Sequence, residues 1–182
     1  AYGVEPDPIT TAEALTSGSQ PLSALLVGDR IAATLVEKGG EFYHGYTYSG
    51  HPVACAVALK NIEIMEREGL VDRVKNDTGP YFAQALQERI AGHNLVGEVR
   101  SVGLMGAIEI VKDKATKERF LPSGSAAVVV RDHAIAQGMM LRATGDTMIL
   151  SPPLIWTRDT IDMACERIGK ALDLAQADLR KR

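Results

Sequence analysis

The stretch HGYTYSGHPVACAVAL, residues 44–59, decides how the rest of the chain is read. Its first half, Gly45-Tyr46-Thr47-Tyr48-Ser49-Gly50, mixes glycine, aromatic and hydroxyl residues without helical period, so it is a loop. Its second half opens on Pro52, which suits the first position of a helix because its missing N–H is not needed there. Cys55, Leu59, Ile62 and Met65 then form one apolar stripe, and Gly69 suits the C′ position beyond the end. Ala54, Ala56 and Ala58 would let that helix approach another backbone closely. Free backbone N–H groups and hydroxyls beside a helix N-terminus suit a bound phosphate or carboxylate. The competing reading is an aromatic loop packed at a subunit or lobe interface.

Working outward, LSALLVG (22–28) is a continuous apolar run, which predicts a strand buried on both faces in a mixed or parallel sheet. Asp29 can cap a helix carrying Ile31, Leu35 and Val36 that stops at Gly39-Gly40. Residues 1–20, with Pro6 and Pro8, read as loop with short extended pieces. Downstream, the spacing predicts a helix over 71–91 with Val74, Thr78, Phe82, Leu86 and Ile90 on one face. Pro80 implies that this helix kinks or restarts. Residues 96–111 read as two extended pieces, the second (104–111) mainly apolar. Ser123 or Ser125 can start a helix through Ala127, Val130 and Ala134 to Gly138. Residues 139–142 and 147–153 read as a strand pair around Ala143-Thr144-Gly145-Asp146. Thr157 can cap a last helix, in which Ile161, Ala164, Cys165, Ile168, Leu172 and Leu179 recur at helical spacing. Arg180, Lys181 and Arg182 lie at its dipole-favoured end. Helices and strands alternate throughout, so the fold class is α/β.

Composition narrows the function classes. Of 182 residues, 46% are hydrophobic and 24% charged, an ordinary globular mix that excludes a disordered, collagen-like or disulfide-scaffold chain. Twenty basic against twenty-three acidic residues give a net charge of −3, no footprint for nucleic acid or an anionic membrane. No apolar run is long enough to span a bilayer. Cys55 and Cys165 each sit in an apolar helical pattern and read as lone buried thiols, so a reducing, cytoplasmic setting is expected. No Ser-His-Asp order, phosphate-loop signature or zinc-ligand spacing is present, and no metal is expected. The chain opens without Met and without a signal peptide, in a loop approaching a strand, which reads as a fragment.

Residues 44–59, with PDPITTAEALTSGSQPLSALLV (6–27) upstream and GMMLRATGDTMILSPPL (138–154) downstream, resemble the class III aminotransferases, in their ω-amino acid or amine:pyruvate branch. These are pyridoxal-phosphate enzymes of fold type I, more than twice as long as this chain. The resemblance implies the tail of the large cofactor domain over 1–65, then the small carboxyl-terminal α/β domain over 66–182. It implies transfer of an amino group from an amine or ω-amino acid to pyruvate, in a homodimer. Asp7, Ile9, Thr10, Ala12, Ala14, Leu15, Thr16, Ser17, Gly18 and Pro21 fit the family motif, but its Schiff-base lysine falls on Glu13. A carboxylate has no amine with which to form an imine, and it cannot deliver the 1,3-proton shift that the freed lysine performs. Ser19 replaces an aromatic found there in close relatives. Thr47, with Tyr46 beside it, matches the threonine that reaches the cofactor phosphate of the neighbouring subunit. Arg142 matches the mobile arginine that pairs with a substrate carboxylate, a role that suits its planar fork. Without the resemblance, Arg142 reads as a surface strand residue. The chain belongs to a transaminase, or is a lysine-less remnant that at most binds a partner, or is a free-standing small-molecule binding domain, for which only the anion-friendly loop speaks; as given it is expected to be inactive alone.

Overall fold

Gly69, in the left-handed conformation at φ +58°, ends the helix that follows the 44–51 loop. The chain divides at that point into two compact units, Ala1–Glu68 and Gly69–Arg182. The computed structural model describes residues 3–181 of them, so Ala1, Tyr2 and Arg182 lie outside the described residues.

The first unit runs β1 (Pro8–Thr11), a 3-10 turn (Glu13–Thr16), β2 (Ala24–Val27), α1 (Asp29–Lys38) and α2 (Pro52–Arg67). β1 and β2 form a two-stranded antiparallel ladder with Pro8 opposite Val27 and Thr11 opposite Ala24. All four residues of β2 are exposed, Leu25 by 61%. The expectation of a strand buried on both faces is therefore corrected. Such burial needs layers above and below, and a two-stranded ladder supplies neither. Asp29 is the first helical residue rather than the cap: Gly28 takes the N-cap with extended backbone, and no side chain caps α1. The Gly28 N–H donates to the Asp7 carbonyl at 2.7 Å, and the Arg30 fork grips the Asp7 carboxylate at 3.1 and 2.5 Å. α1 then ends at Gly39, as its Gly-Gly pair predicts.

α2 starts at Pro52 as read, but its buried face is not the expected stripe. Ala54 and Ala58 are buried, whereas Leu59 is 70% exposed. Ala54 and Ala58 face inward and Leu59 and Ile62 point out, whereas Cys55 and Met65 of the expected stripe are half-buried and Ala56 is exposed.

The second unit holds α3 (Leu70–Arg73), a π-helical turn (Val74–Thr78), α4 (Gly79–Arg89), β3 (Val96–Val102), β4 (Met105–Ile110), α5 (Ser125–Ala136), β5 (Arg142–Thr144), β6 (Thr147–Leu150) and α6 (Arg158–Leu179). The Pro80 discontinuity takes the form of the π turn. The Gly79 N–H reaches the Val74 carbonyl five residues back, and a Cβ on Gly79 would lie 2.4 Å from that oxygen. Only glycine fits there. Past it, Phe82, Leu86 and Ile90 are buried on the face that the spacing predicts.

The four strands form an antiparallel sheet in the order β3-β4-β6-β5. Gly106, Ile108 and Ile110 of β4 and Met148 and Leu150 of β6 alternate inward against α4, α5 and α6. From α6 come Ile161, Cys165, Ile168 and Leu172, all in the same core. Thr157 caps α6 by accepting the Thr160 N–H at 3.3 Å. Neither Ser123 nor Ser125 caps α5. That place is held by Gly124 in the left-handed conformation at φ +82°.

Candidate functional site

Glu13 opens the 3-10 turn, and the local sequence fixes that turn tightly. Buried Thr16 donates its hydroxyl to the Gln20 carbonyl at 2.6 Å, closing the Leu-Thr-Ser-Gly bend. Ser17 and Gly18 both adopt positive φ, at +53° and +74°, which turns the chain back toward β2. From α2, the Asn61 amide donates to the carbonyls of Ala14 and Leu15 at 3.2 and 3.0 Å. The backbone that carries Glu13 is thereby bolted to a helix 46–47 residues further along.

The loop that resembles the phosphate contact closes on itself. Ser49 accepts the Tyr46 N–H on its Oγ at 2.9 Å and returns its own N–H to the Tyr46 carbonyl at 2.9 Å. Gly50 follows at φ +72°, and His51 Nδ1 accepts the Ala54 N–H at 3.4 Å to cap α2. Phe42, His44 and Tyr46 meet in successive edge-on contacts at 5.8 and 5.5 Å. Among the described residues, neither the Thr47 N–H nor its hydroxyl has an intramolecular partner, so both are available to an anion.

These two pieces enclose a cleft of about 470 Å³ lined by Glu13, Pro21, Leu22, Ser23, Tyr46, Tyr48, Ser49 and Gly50. Glu13 and Tyr46 are thus brought together. Thr47 lies between two lining residues without lining the cleft itself. The first unit contains two lysines, Lys38 and Lys60, and neither is in the wall.

Arg142 belongs to the second unit. It starts β5, the edge strand, opposite Ile149, and its side chain is exposed with no ion-pair partner among the described residues. The hairpin that bears it is anchored by a residue that the sequence does not single out. Asp146 is almost fully buried, and its carboxylate accepts from the Ser123 hydroxyl at 3.0 Å and the Gly124 N–H at 2.7 Å, with the Arg119 guanidinium 3.7 Å away. Asn61 was equally invisible, since an asparagine on a helix carries no positional signal. Nearby, residues of the 138–141 and 149–153 segments with Trp156, Met163 and Arg167 line a largely apolar pocket of about 260 Å³, and Arg142 is not in its wall. The two cysteines are free thiols, and burial pushes the Cys165 thiol up to about 11, so it stays protonated and inert. No three metal-ligating side chains come together among the described residues.

The fold is the mixed α/β arrangement of transaminases. A transaminase structure from directed evolution by ancestral reconstruction superposes with a TM-score of 0.91 at 42% identity, over 97% of this chain and 40% of that one. The chain belongs to the class III aminotransferases: the family model "Aminotransferase class-III" matches residues 1–172. It is 47% identical over 176 residues to putrescine–pyruvate aminotransferase of Pseudomonas aeruginosa, covering 97% of this chain and 38% of the relative. It is 40% identical over 177 residues to diaminobutyrate–2-oxoglutarate transaminase of Halomonas elongata, covering 94% of this chain and 38% of that protein. The chain therefore spans about two fifths of the length of the relatives it matches. Class III aminotransferases are pyridoxal-phosphate enzymes.

Proposed function

We propose that this chain is the part of a pyridoxal-phosphate transaminase that carries the cofactor-lysine position, a phosphate-side loop and a substrate-carboxylate arginine. The parent activity is transfer of an amino group from an amine or ω-amino acid to pyruvate, in a cytoplasmic homodimer; the chain as given does not catalyse it alone. The similarity to a putrescine–pyruvate aminotransferase supports an aliphatic amine as donor. In this reading Thr47 and Tyr46 serve the phosphate side and Arg142 pairs with a substrate carboxylate.

Glu13 carries the reading. In this reading residue 13, which the resemblance aligns with the cofactor lysine, is a carboxylate in the cleft wall, and a carboxylate does not fit a covalently held cofactor. Lys60 is engaged with Glu63 on α2 at 2.7 Å and lies outside the wall. The loop at Thr47 suits the anionic end of the cofactor, but an anion contact alone does not replace a covalent nucleophile. A second reading, a non-catalytic remnant that binds a partner chain, is favoured by the exposed apolar β2.

The test is to mix the chain with pyridoxal phosphate, reduce with borohydride, and map adducts by peptide mass. In parallel, alanine formed from pyruvate and an amine is compared with free cofactor. The expected result is no adduct on any cleft residue and no alanine above the free-cofactor background. Alanine above that background overturns the inactive reading.

A further inference from the structure

We propose that the pocket lined by Arg167 and Trp156 in the second unit is a binding site for small aryl carboxylates. The guanidinium takes the carboxylate, and Trp156 with Met139, Met140 and Met163 takes the ring.

The position of the charge is fixed by a bond. Arg167 is half-buried, and its Nη1 donates at 3.0 Å to the carbonyl of Gly138, itself a residue of the wall. The guanidinium therefore lies against the pocket. Only one of its five N–H groups is spent there, and no carboxylate lies within 4 Å of it among the described residues. Asp162 and Glu166, the acids nearest to it along α6, line a different groove, and Asp162 is paired with Arg89 at 2.9 Å. Arg167 is the one charged side chain in the wall of its own pocket, which attracts an anion and repels a cation. Its planar fork matches a carboxylate better than a spherical ion.

The rest of the wall selects the body of the ligand. Leu141, Leu150 and Ala164, all buried, give the pocket an apolar floor that an inorganic anion cannot use. Trp156 offers an aromatic ring a stacking partner, and the three methionines offer it thioether contacts that a saturated chain lacks. The volume of about 260 Å³ lies just below the range of drug-sized sites, so one ring with a short acid arm is the size it holds. Occupancy of this pocket needs neither residue 13 nor the 46–51 loop, and it does not require that the chain transaminate.

The probe is sodium phenylacetate, titrated into the full chain while tryptophan fluorescence is followed. Trp156 is the only tryptophan in the sequence, so the signal reports on this wall. Sodium acetate at matched ionic strength and 2-phenylethanol are the comparisons. The expected result is a saturable change with a Kd on the order of 1 mM, as befits a ligand of about ten non-hydrogen atoms. Acetate and phenylethanol should each bind about tenfold more weakly or worse. Arg167→Met keeps the apolar stem, removes the charge and should weaken phenylacetate about tenfold. Met163→Glu, at a position 44% exposed, leaves the Gly138 bond in place, puts an anion in the wall and should weaken it as well. Circular dichroism reports whether each variant keeps its fold. Linear quenching that never saturates overturns the proposal. So does phenylethanol that binds as tightly as phenylacetate, or an Arg167→Met or Met163→Glu chain that binds like the parent. Binding lost in Arg142→Ala but kept in Arg167→Met also overturns it, because the carboxylate would then belong to Arg142.

Discussion

Asp146 accepts the backbone N–H of Gly124 at 2.7 Å, so a carboxylate from the β5–β6 turn holds the N-cap residue of α5, whose start has no side-chain cap of its own. The Ser123 hydroxyl ends on the same side chain. One buried carboxylate therefore satisfies two donors and ties the hairpin bearing Arg142 to a helix start.

Asp146→Ala removes the acceptor shared by the half-buried Gly124 N–H and the exposed Ser123 hydroxyl, which water can partly replace. The expected cost is about 1–2 kcal/mol of unfolding free energy. Asp146→Asn keeps an acceptor oxygen and should cost less. Urea unfolding of each variant, followed by circular dichroism, checks the order. Equal costs for the two would show that packing, rather than the acceptor, matters there.

Asn61→Ala removes both bonds to the 3-10 turn, at about 1 kcal/mol each. Asn61→Asp should be no milder, because an ionised carboxylate cannot donate to the Ala14 and Leu15 carbonyls. The direct readout is amide exchange at residues 13–18, which should accelerate in both variants while exchange in β4 and β6 stays as it was.

Acid should loosen the second unit through Glu109. Burial pushes its carboxyl up, but the Arg100 guanidinium at 2.7 Å and the Thr147 hydroxyl at 2.8 Å outweigh this, leaving it below the ordinary glutamate range. A carboxyl lowered by folding stabilises the native state above its unfolded value, and that contribution fades as pH falls through the folded value. Unfolding free energy measured from pH 6 down to pH 3 should thus decline more steeply for the parent chain than for Glu109→Gln.

Sequence pattern was most informative where a segment's partners lie in its own unit. The α6 stripe reads correctly because Ile161, Cys165, Ile168 and Leu172 all find the core they imply. Pro80 announces its own disruption, since a missing N–H acts locally wherever the helix packs. β2 misleads for the opposite reason: its apolar run records a two-sided environment that the β1–β2 ladder does not contain. The α2 stripe misleads at Leu59 and Ile62, because the closest contact goes to Ala54 and Ala58 and side-chain size does not track burial there. At the candidate site, Glu13 stands out only against a family motif. Asp146 and Asn61 act through long-range bonds that no local spacing encodes.

Apolar exposure in the first unit should make the chain self-associate. Leu25, Leu26 and Val27 are 61%, 51% and 41% exposed beside an open ladder edge, and Val36 of α1 is 85% exposed. Contiguous apolar surface next to unpaired strand edges favours association. Sedimentation should show species larger than one chain, with binding of an apolar dye. Leu25→Lys with Val27→Lys should shift the distribution toward monomer. A clean monomer that binds no dye would count against this.

Protection from hydrogen exchange should divide at Gly69. The core cluster of buried side chains, from Phe82 to Ala175, lies entirely in the second unit, where three helices pack on a four-stranded sheet. In the first unit α1 buries no residue and α2 buries only Ala54 and Ala58. About 110 residues around one core make a viable domain, whereas about 70 residues on a two-stranded ladder are marginal. Opening the first unit exposes little that is not exposed already, so its amides should exchange through frequent small openings. Amides in 104–111, 148–150 and 161–174 should therefore be the slowest. Those in 3–20 and 39–51 should be the fastest, apart from the few held by the Thr16 and Ser49 bonds. Mass spectrometry of pulse-labelled peptides resolves these segments directly. Equal protection on both sides of Gly69 would mean that the first unit draws its stability from a core its own burial pattern does not contain.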